Sequence, residues 1–257
     1  MIAGFAGSGN IAAAMARGWA ADEGGPEQML FTDSGSGRAA ALAEEVGGEA
    51  LESNEELAER SDLLVLAVKP GALGEVAAET QSAQVVLSLL GGTPLANLAD
   101  AFPNAARMLA IPNVAIEARV GVLAFAADRH AAAESVAEVR EQLDLLGRVV
   151  ELDEELIEPA TVVMGCSPAF LALVIEAIAT AGAADGLDPE LAHSLIVDTT
   201  AGTAEVLRRH DPATLRDAVA SPGGSTEAGL RVLDQRDVFE AFEAAVRASI
   251  AKSRGET

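Results

Sequence analysis

Gly4-Phe5-Ala6-Gly7-Ser8-Gly9-Asn10-Ile11-Ala12 is the stretch on which the reading of this chain turns. Met1–Phe5 has room for a short strand only. Gly7 to Ala12 is a G-x-G-x-x-A turn, and Ala12–Ala21 favours helix. Strand, glycine turn and helix in that order are the layout of a dinucleotide-binding βαβ unit. Gly7 permits the tight turn, and Gly9 leaves room for a pyrophosphate to approach the backbone. Ala12 is small enough for the helix to pack closely on the sheet. The helix N-terminus then offers free N–H groups and a positive dipole end. Because the stretch opens the chain, neither a leader nor an earlier domain is expected.

Two later features agree with it. Met29–Thr32 reads as a second strand ending at Asp33, about twenty residues beyond the glycine turn, where a ribose-binding group belongs. Leu63–Val68 is an apolar, β-prone run ending in Lys69-Pro70, and ligand crevices lie beyond such strand ends. Between and after them, strand and helix patterns alternate. Helices are expected at Ile11–Ala21, Arg38–Val46, Asn54–Glu59, Leu73–Thr80, Pro94–Ala101 and Ala131–Leu146. Further strands are expected at Glu49–Leu51, Gln84–Leu89, Ala106–Ile111, Val120–Ala126 and Arg148–Leu152. Such alternation predicts a parallel sheet covered on both faces.

After residue 152 strands vanish. Glu154–Met164, Pro168–Ala184, Pro189–Arg209, Pro212–Val219 and Thr226–Ser253 all suit helices. Pro168, Pro189 and Pro212 sit where first-turn prolines belong, with Ser167, Asp188 and Asp211 before them as N-caps. The expected division is an α/β domain over 1–152 and an all-helical domain over 153–257, with no flexible linker.

The chain has 257 residues, half of them hydrophobic, which is ample for a core and argues against disorder. Its formal net charge of −23 argues against nucleic acid or an anionic membrane as partner. Lys69 and Lys252 are the only lysines. A salty cytoplasm and a GC-rich genome explain that composition equally well. No apolar run approaches the roughly 20 uncharged residues of a membrane span. The single cysteine, Cys166, excludes an internal disulfide and suits the cytoplasm. His130, His193 and His210 are scattered, so no metal site is expected.

Ser221-Pro222-Gly223-Gly224-Ser225-Thr226 is the most informative stretch of the helical half. A Pro-Gly-Gly loop runs directly into a helix, and hydroxyls surround the free N–H groups at its start. It reads either as an anion site suited to a carboxylate or as ordinary capping by Ser225 or Thr226.

Together with Ala67-Val68-Lys69-Pro70 and Pro112-Asn113, both quoted stretches resemble the motifs of pyrroline-5-carboxylate reductase, in order and over nearly the whole chain. The resemblance implies a Rossmann-type α/β N-terminal domain followed by an all-α C-terminal dimerisation domain. It implies reduction of a cyclic imine carboxylate to L-proline with NADPH or NADH. It assigns Gly7, Ser8, Gly9, Asn10 and Ile11 to the pyrophosphate. Ser34, Arg38 and Asn54 fall near the adenosine ribose, and Ala67, Val68, Lys69 and Pro70 at the nicotinamide end. Asn113, Ser221, Gly224, Ser225 and Thr226 are assigned to the substrate, with Thr226 and Ser221 as the catalytic candidates. The Thr226 hydroxyl is placed to hydrogen-bond the ring nitrogen.

The chain departs from the family pattern at Val114 and Ala115, where Thr-Pro is usual, and at Cys166 and Ser167, where Ser-Gly is usual. Two alternatives therefore stay open: a reductase of another imine or keto acid, and a nucleotide-binding homologue without turnover. Asp33 favours NADH if it binds ribose hydroxyls; Ser34, Ser36 and Arg38 favour NADPH if they surround a 2′-phosphate. Lys69 either holds anions or is a solvated loop lysine.

Finally, Pro168–Ala184 is apolar nearly all round, with Glu176 and Thr180 together on one narrow face. A domain of a few helices cannot enclose such a helix alone. A homodimer through the helical half is expected, with a ring of dimers as a larger option.

Overall fold

The computed structural model describes residues 1–21 and 23–254. The chain forms two compact units, one of Met1–Gly165 with the segment from Ile250 onward, the other Cys166–Ser249.

The first unit alternates β1 (Ile2–Ala6), α1 (Asn10–Ala20), β2 (Gln28–Thr32), α2 (Arg38–Val46), β3 (Glu49–Ala50), α3 (Asn54–Arg60), β4 (Leu63–Leu66), α4 (Leu73–Glu79), β5 (Val85–Ser88), α5 (Leu95–Ala101), β6 (Ala106–Pro112), β7 (Gly121–Ala127), α6 (Ala133–Asp144), β8 (Gly147–Glu151) and α7 (Glu154–Thr161). The sheet order is β3-β2-β1-β4-β5-β6-β7-β8. The order doubles back after β3, so the sheet has a switch point between β1 and β4, the place where such folds open a crevice.

The alternation predicts a parallel sheet, but the sheet is mixed. β7 runs antiparallel to β6, and β8 follows β7. Only a short 3-10 turn, Val114–Ala118, joins β6 to β7. A parallel return needs a longer crossover than that; α6 supplies one between β7 and β8.

Side chains alternate across each strand and build two cores. Ala3 and Phe5 of β1 join Met15, Trp19, Phe31 and Phe125 on one face. Ala6 joins Leu57, Leu64, Phe102 and Leu109 on the other. The Phe5 and Phe31 rings stack at 5.1 Å. Helix α7 belongs with this unit: Ile157 is buried in the second core, and the Glu154 carboxylate accepts the Leu95 N–H at 2.6 Å. The compact boundary therefore falls later than the loss of strands.

A buried ion pair closes the far end of β6. Arg107 is 6% exposed; it meets Asp128 at 2.9 Å and donates to the Phe102 and Pro103 carbonyls. The His130 N–H, and then Arg107, hold the Asp128 carboxyl below the usual carboxylate range. Arg107→Ala is expected to lower unfolding stability by about 3–5 kcal/mol near neutral pH, because it leaves a buried charge unpaired. The folded pKa of Asp128 is depressed, so the stability it contributes is present above the unfolded value of about 3.9 and is lost as pH falls through the folded value. Urea titrations at neutral and acid pH should thus show the wild-type–variant gap shrinking toward acid; a gap independent of pH would contradict this account.

The second unit is helical: α8 (Ser167–Ala184), α9 (Pro189–Leu207), α10 (Pro212–Val219), α11 (Ser225–Asp234) and α12 (Val238–Ser253), the last running into the segment counted with the first unit. Asp188 and Asp211 cap α9 and α10, each accepting two backbone N–H groups. Ser167 does not cap α8. A π-turn over Val162–Cys166 joins α7 to α8 without a break, so Ser167 lies inside one helical run. That run, Glu154–Ala184, is long and apolar enough by length and composition to cross a membrane.

The single helix expected over Thr226–Ser253 is two. Asp237 adopts a left-handed φ of 51°, a conformation a short polar side chain tolerates, and breaks the run between α11 and α12. Among the described residues from α8 to α12 only Ala192 is buried; Leu173 is 63% exposed and Phe239 69%.

Candidate functional site

The crevice beyond the ends of β1, β2 and β4 has a volume of about 810 Å³. Gly7, Ser8, Gly9, Asn10, Ile11, Ser34, Arg38, Asn54, Ala67, Val68 and Lys69 all line it. Pro70 is not in its wall and opens the 3-10 turn Pro70–Ala72.

The glycine turn is tied down from two sides. The Gly7 N–H and the Ser8 hydroxyl both donate to the Thr32 carbonyl, at 3.2 and 3.0 Å. Gly7 has φ +98°, and a Cβ there would lie 2.7 Å from the Ala67 carbonyl oxygen. At Gly9 a Cβ would meet nothing within 4 Å, because the residue faces the open crevice. The first helical bond of α1 runs from Ala13 N to Gly9 O, so the N–H groups of Asn10, Ile11 and Ala12 lie ahead of it. An open approach to backbone donors at a helix N-terminus fits a pyrophosphate.

Asp33 does something its position does not advertise. Its Oδ1 accepts the N–H groups of Gly35 and Ser36 at 2.7 and 3.0 Å. Its Oδ2 accepts the Ser36 hydroxyl and the Ala39 N–H, both at 2.9 Å. The Ala39 N–H, followed by the Ser36 and Gly35 donors, holds the carboxyl below its usual range. Four donors satisfy the lone pairs of a carboxylate, so Asp33 folds its own loop and caps α2. Arg38 and Lys69 have no side-chain hydrogen bond or ion pair among the described residues.

A polar chain missed by the sequence reading crosses the crevice wall. The Thr32 hydroxyl donates to Asn54 Oδ1 at 2.6 Å, and Asn54 Nδ2 donates to Glu79 Oε2 at 2.7 Å. Nothing in the sequence around Glu79 pairs it with Asn54, twenty-five residues away.

In the helical unit, Ser221-Pro222-Gly223-Gly224 is a type II turn: Pro222 occupies its second position, Gly223 has φ +74°, and Gly224 N donates to Ser221 O at 2.9 Å. Gly224 then caps α11 through its backbone, with no side-chain cap from Ser225 or Thr226. The first helical bond is Ala228 N to Gly224 O, leaving the Ser225, Thr226 and Glu227 N–H groups ahead of it. Glu227 folds back to accept the Gly223 N–H at 2.8 Å. The capping alternative is therefore not what the hydroxyls do.

Asn113 is not in the wall of the crevice. Its Oδ1 accepts the Val122 N–H at 3.2 Å, and its Nδ2 donates to the Met164 carbonyl at 3.3 Å. Among the described residues no group of three or more His, Cys, Asp or Glu is placed to hold a metal.

The fold and the crevice define an NAD(P)-dependent oxidoreductase. Residues 2–92 match the family described as NADP oxidoreductase, coenzyme F420-dependent, and residues 154–256 the family described as pyrroline-5-carboxylate reductase dimerisation. The chain belongs to the pyrroline-5-carboxylate reductase family. It is 34% identical to the pyrroline-5-carboxylate reductase of Synechocystis sp., over 89% of this chain and 88% of that one. It is 32% identical to that of Pseudomonas aeruginosa, over 97% and 94%. The Plasmodium falciparum pyrroline carboxylate reductase, solved with NADP bound, superposes with a TM-score of 0.89 at 27% identity, covering 99% of this chain and 97% of that one.

Proposed function

We propose that the chain reduces pyrroline-5-carboxylate to L-proline with NADPH, its nucleotide-binding half being residues 1–152 and its helical half 153–257. The observation that carries this is family membership over nearly the full length, with an open glycine turn in one unit and a Ser-Pro-Gly-Gly-Ser-Thr helix start in the other.

Gly7, Ser8, Gly9, Asn10 and Ile11 hold the pyrophosphate through backbone donors. Ala67, Val68, Lys69 and Pro70 border the nicotinamide, which when bound supplies a hydride to the C=N carbon. Asp33 has no lone pair left for a ribose diol, whereas Ser34, Ser36 and Arg38 line the same end of the crevice, and Arg38 has no partner among the described residues. This favours NADPH over NADH. The Ser225 and Thr226 N–H groups take the substrate carboxylate, and Ser221 and Gly224 shape the turn. The Thr226 hydroxyl orients the ring nitrogen, which enters protonated and leaves as the secondary amine. No general acid is required, so the protein acts by orientation and exclusion of water.

The helical unit exposes Leu171, Leu173, Ile178 and Phe239. So much apolar surface needs cover, and the matching family is named for dimerisation. A homodimer through this unit supplies the cover, and we assign the apolar helix α8 to that interface, in a cytoplasmic protein. A ring of such dimers is the further option. Light scattering after size exclusion should give at least the dimer mass at micromolar concentration; a stable monomer would contradict the assignment.

The deciding experiment is oxidation of NADPH and NADH with pyrroline-5-carboxylate at low and high salt. Turnover with NADPH preferred is expected. Turnover confined to another cyclic imine or a keto acid would overturn the substrate, and cofactor binding with no turnover would make the chain a binding protein.

A further inference from the structure

The side chain of Asn113 behaves as a piece of backbone. β6 and β7 pair in antiparallel register up to Pro112 and Leu123. One step on, Asn113 N donates to Val122 O at 3.2 Å, which continues the ladder. The return bond does not reach the Asn113 carbonyl, because that group accepts the Ile116 N–H at 3.2 Å as the chain turns away. Asn113 Oδ1 takes its place and accepts the Val122 N–H.

The other end of the same amide completes a helix. In an α-helical continuation the Met164 carbonyl takes the N–H of residue 168. Residue 168 is proline and has none. The run instead slips into the π-turn Val162–Cys166, and Asn113 Nδ2 donates to the Met164 carbonyl at 3.3 Å. One planar amide thus stands in for a strand carbonyl and for a helical N–H. Asp keeps the acceptor but has no donor when ionised, and Ala has neither.

The place where this happens gives it a role. The division between the two compact units falls between Gly165 and Cys166, inside the π-turn. Asn113 and Met164 both lie in the first unit, so the bond fixes the last helical turn of that unit before the chain passes into the second. We propose that Asn113 is a positioning residue rather than a substrate ligand: its amide replaces the bond Pro168 cannot make and sets the joint from which α8 departs. The kinetic side of this rests on the reductase reading; the structural side does not.

The test is a cycle of Asn113→Asp, Pro168→Ala and the double variant in the full-length chain. Asn113→Asp is expected to lower kcat/KM for pyrroline-5-carboxylate by roughly 10- to 100-fold, the scale of a small misplacement of reacting groups. Its affinity for NADPH, measured by fluorescence without substrate, should stay within about two-fold of wild type. Because residue 168 regains an N–H for the Met164 carbonyl, adding Pro168→Ala should recover most of the loss. A double variant as impaired as Asn113→Asp alone would overturn the proposal and return Asn113 to the substrate.

Thermal midpoints of the same four proteins read the contact without any turnover. Non-additive losses, smaller in the Pro168→Ala background, support it, and additive losses overturn it. That arm holds even if the imine is not the substrate. Should Asn113→Asp fail to fold, Asn113→Ala takes its place in the cycle with the same expected outcomes.

Discussion

Gly9→Val is expected to remove dinucleotide binding while leaving the chain folded. Gly9 has φ −79° and ψ −177°, a backbone that valine adopts freely. A Cβ there meets no atom of the protein within 4 Å beyond its chain neighbours, so the cost to the fold starts small. It projects into the crevice where the proposed pyrophosphate meets the start of α1. Loss of two charge-assisted bonds, at about 1.5–3 kcal/mol each, corresponds to a rise in Kd of roughly 100-fold or more. Fluorescence titration with NADPH, alongside circular dichroism, separates the two effects. Gly7→Ala is the contrasting case. Its positive φ and the Ala67 carbonyl 2.7 Å away put the cost on the fold itself. Wild-type affinity in the Gly9→Val protein would show that the cofactor lies elsewhere.

Thr226→Ala should lower kcat by roughly 10- to 1000-fold, the range for losing one positioned donor in a reacting complex. The structure removes the usual confounding effect. Thr226 is the second residue of α11 and exposed, and Gly224 rather than a side chain caps that helix. The hydroxyl therefore does little for folding, and NADPH affinity should not change. Unchanged turnover in this variant would strip the hydroxyl of its proposed part in orienting the ring nitrogen.

Much of the architecture could be read from local pattern, because local chemistry decides it. Arg38–Val46 and Pro212–Val219 were legible to the residue: left-handed glycines bound the first, and an Asp-Pro start sets the second. The reversal of β7 was not, since strand direction depends on connection length rather than on the strand's own residues. Asp237 looks like any helical aspartate until its φ is known. Gly7 was legible because its positive φ and the Ala67 carbonyl beside it demand glycine. The Thr32–Asn54–Glu79 chain and the saturation of Asp33 were not, because both depend on which donors the folded loop brings to a carboxylate. Asn113 shows the limit most clearly. Its place in a motif suggested a ligand, and only the geometry reveals an amide engaged at both ends.

The exposed apolar faces of α8 and α9 have a consequence for the chain inside a cell. A protomer carries half of a core, so each newly made copy stays vulnerable until it meets another. Two genes of unequal quality would mingle their products in hybrid pairs, and a chain damaged in the crevice would still protect the folding of its companion. Abundance and integrity are linked: diluting the protein lowers its stability as a mutation would, without a single residue being changed.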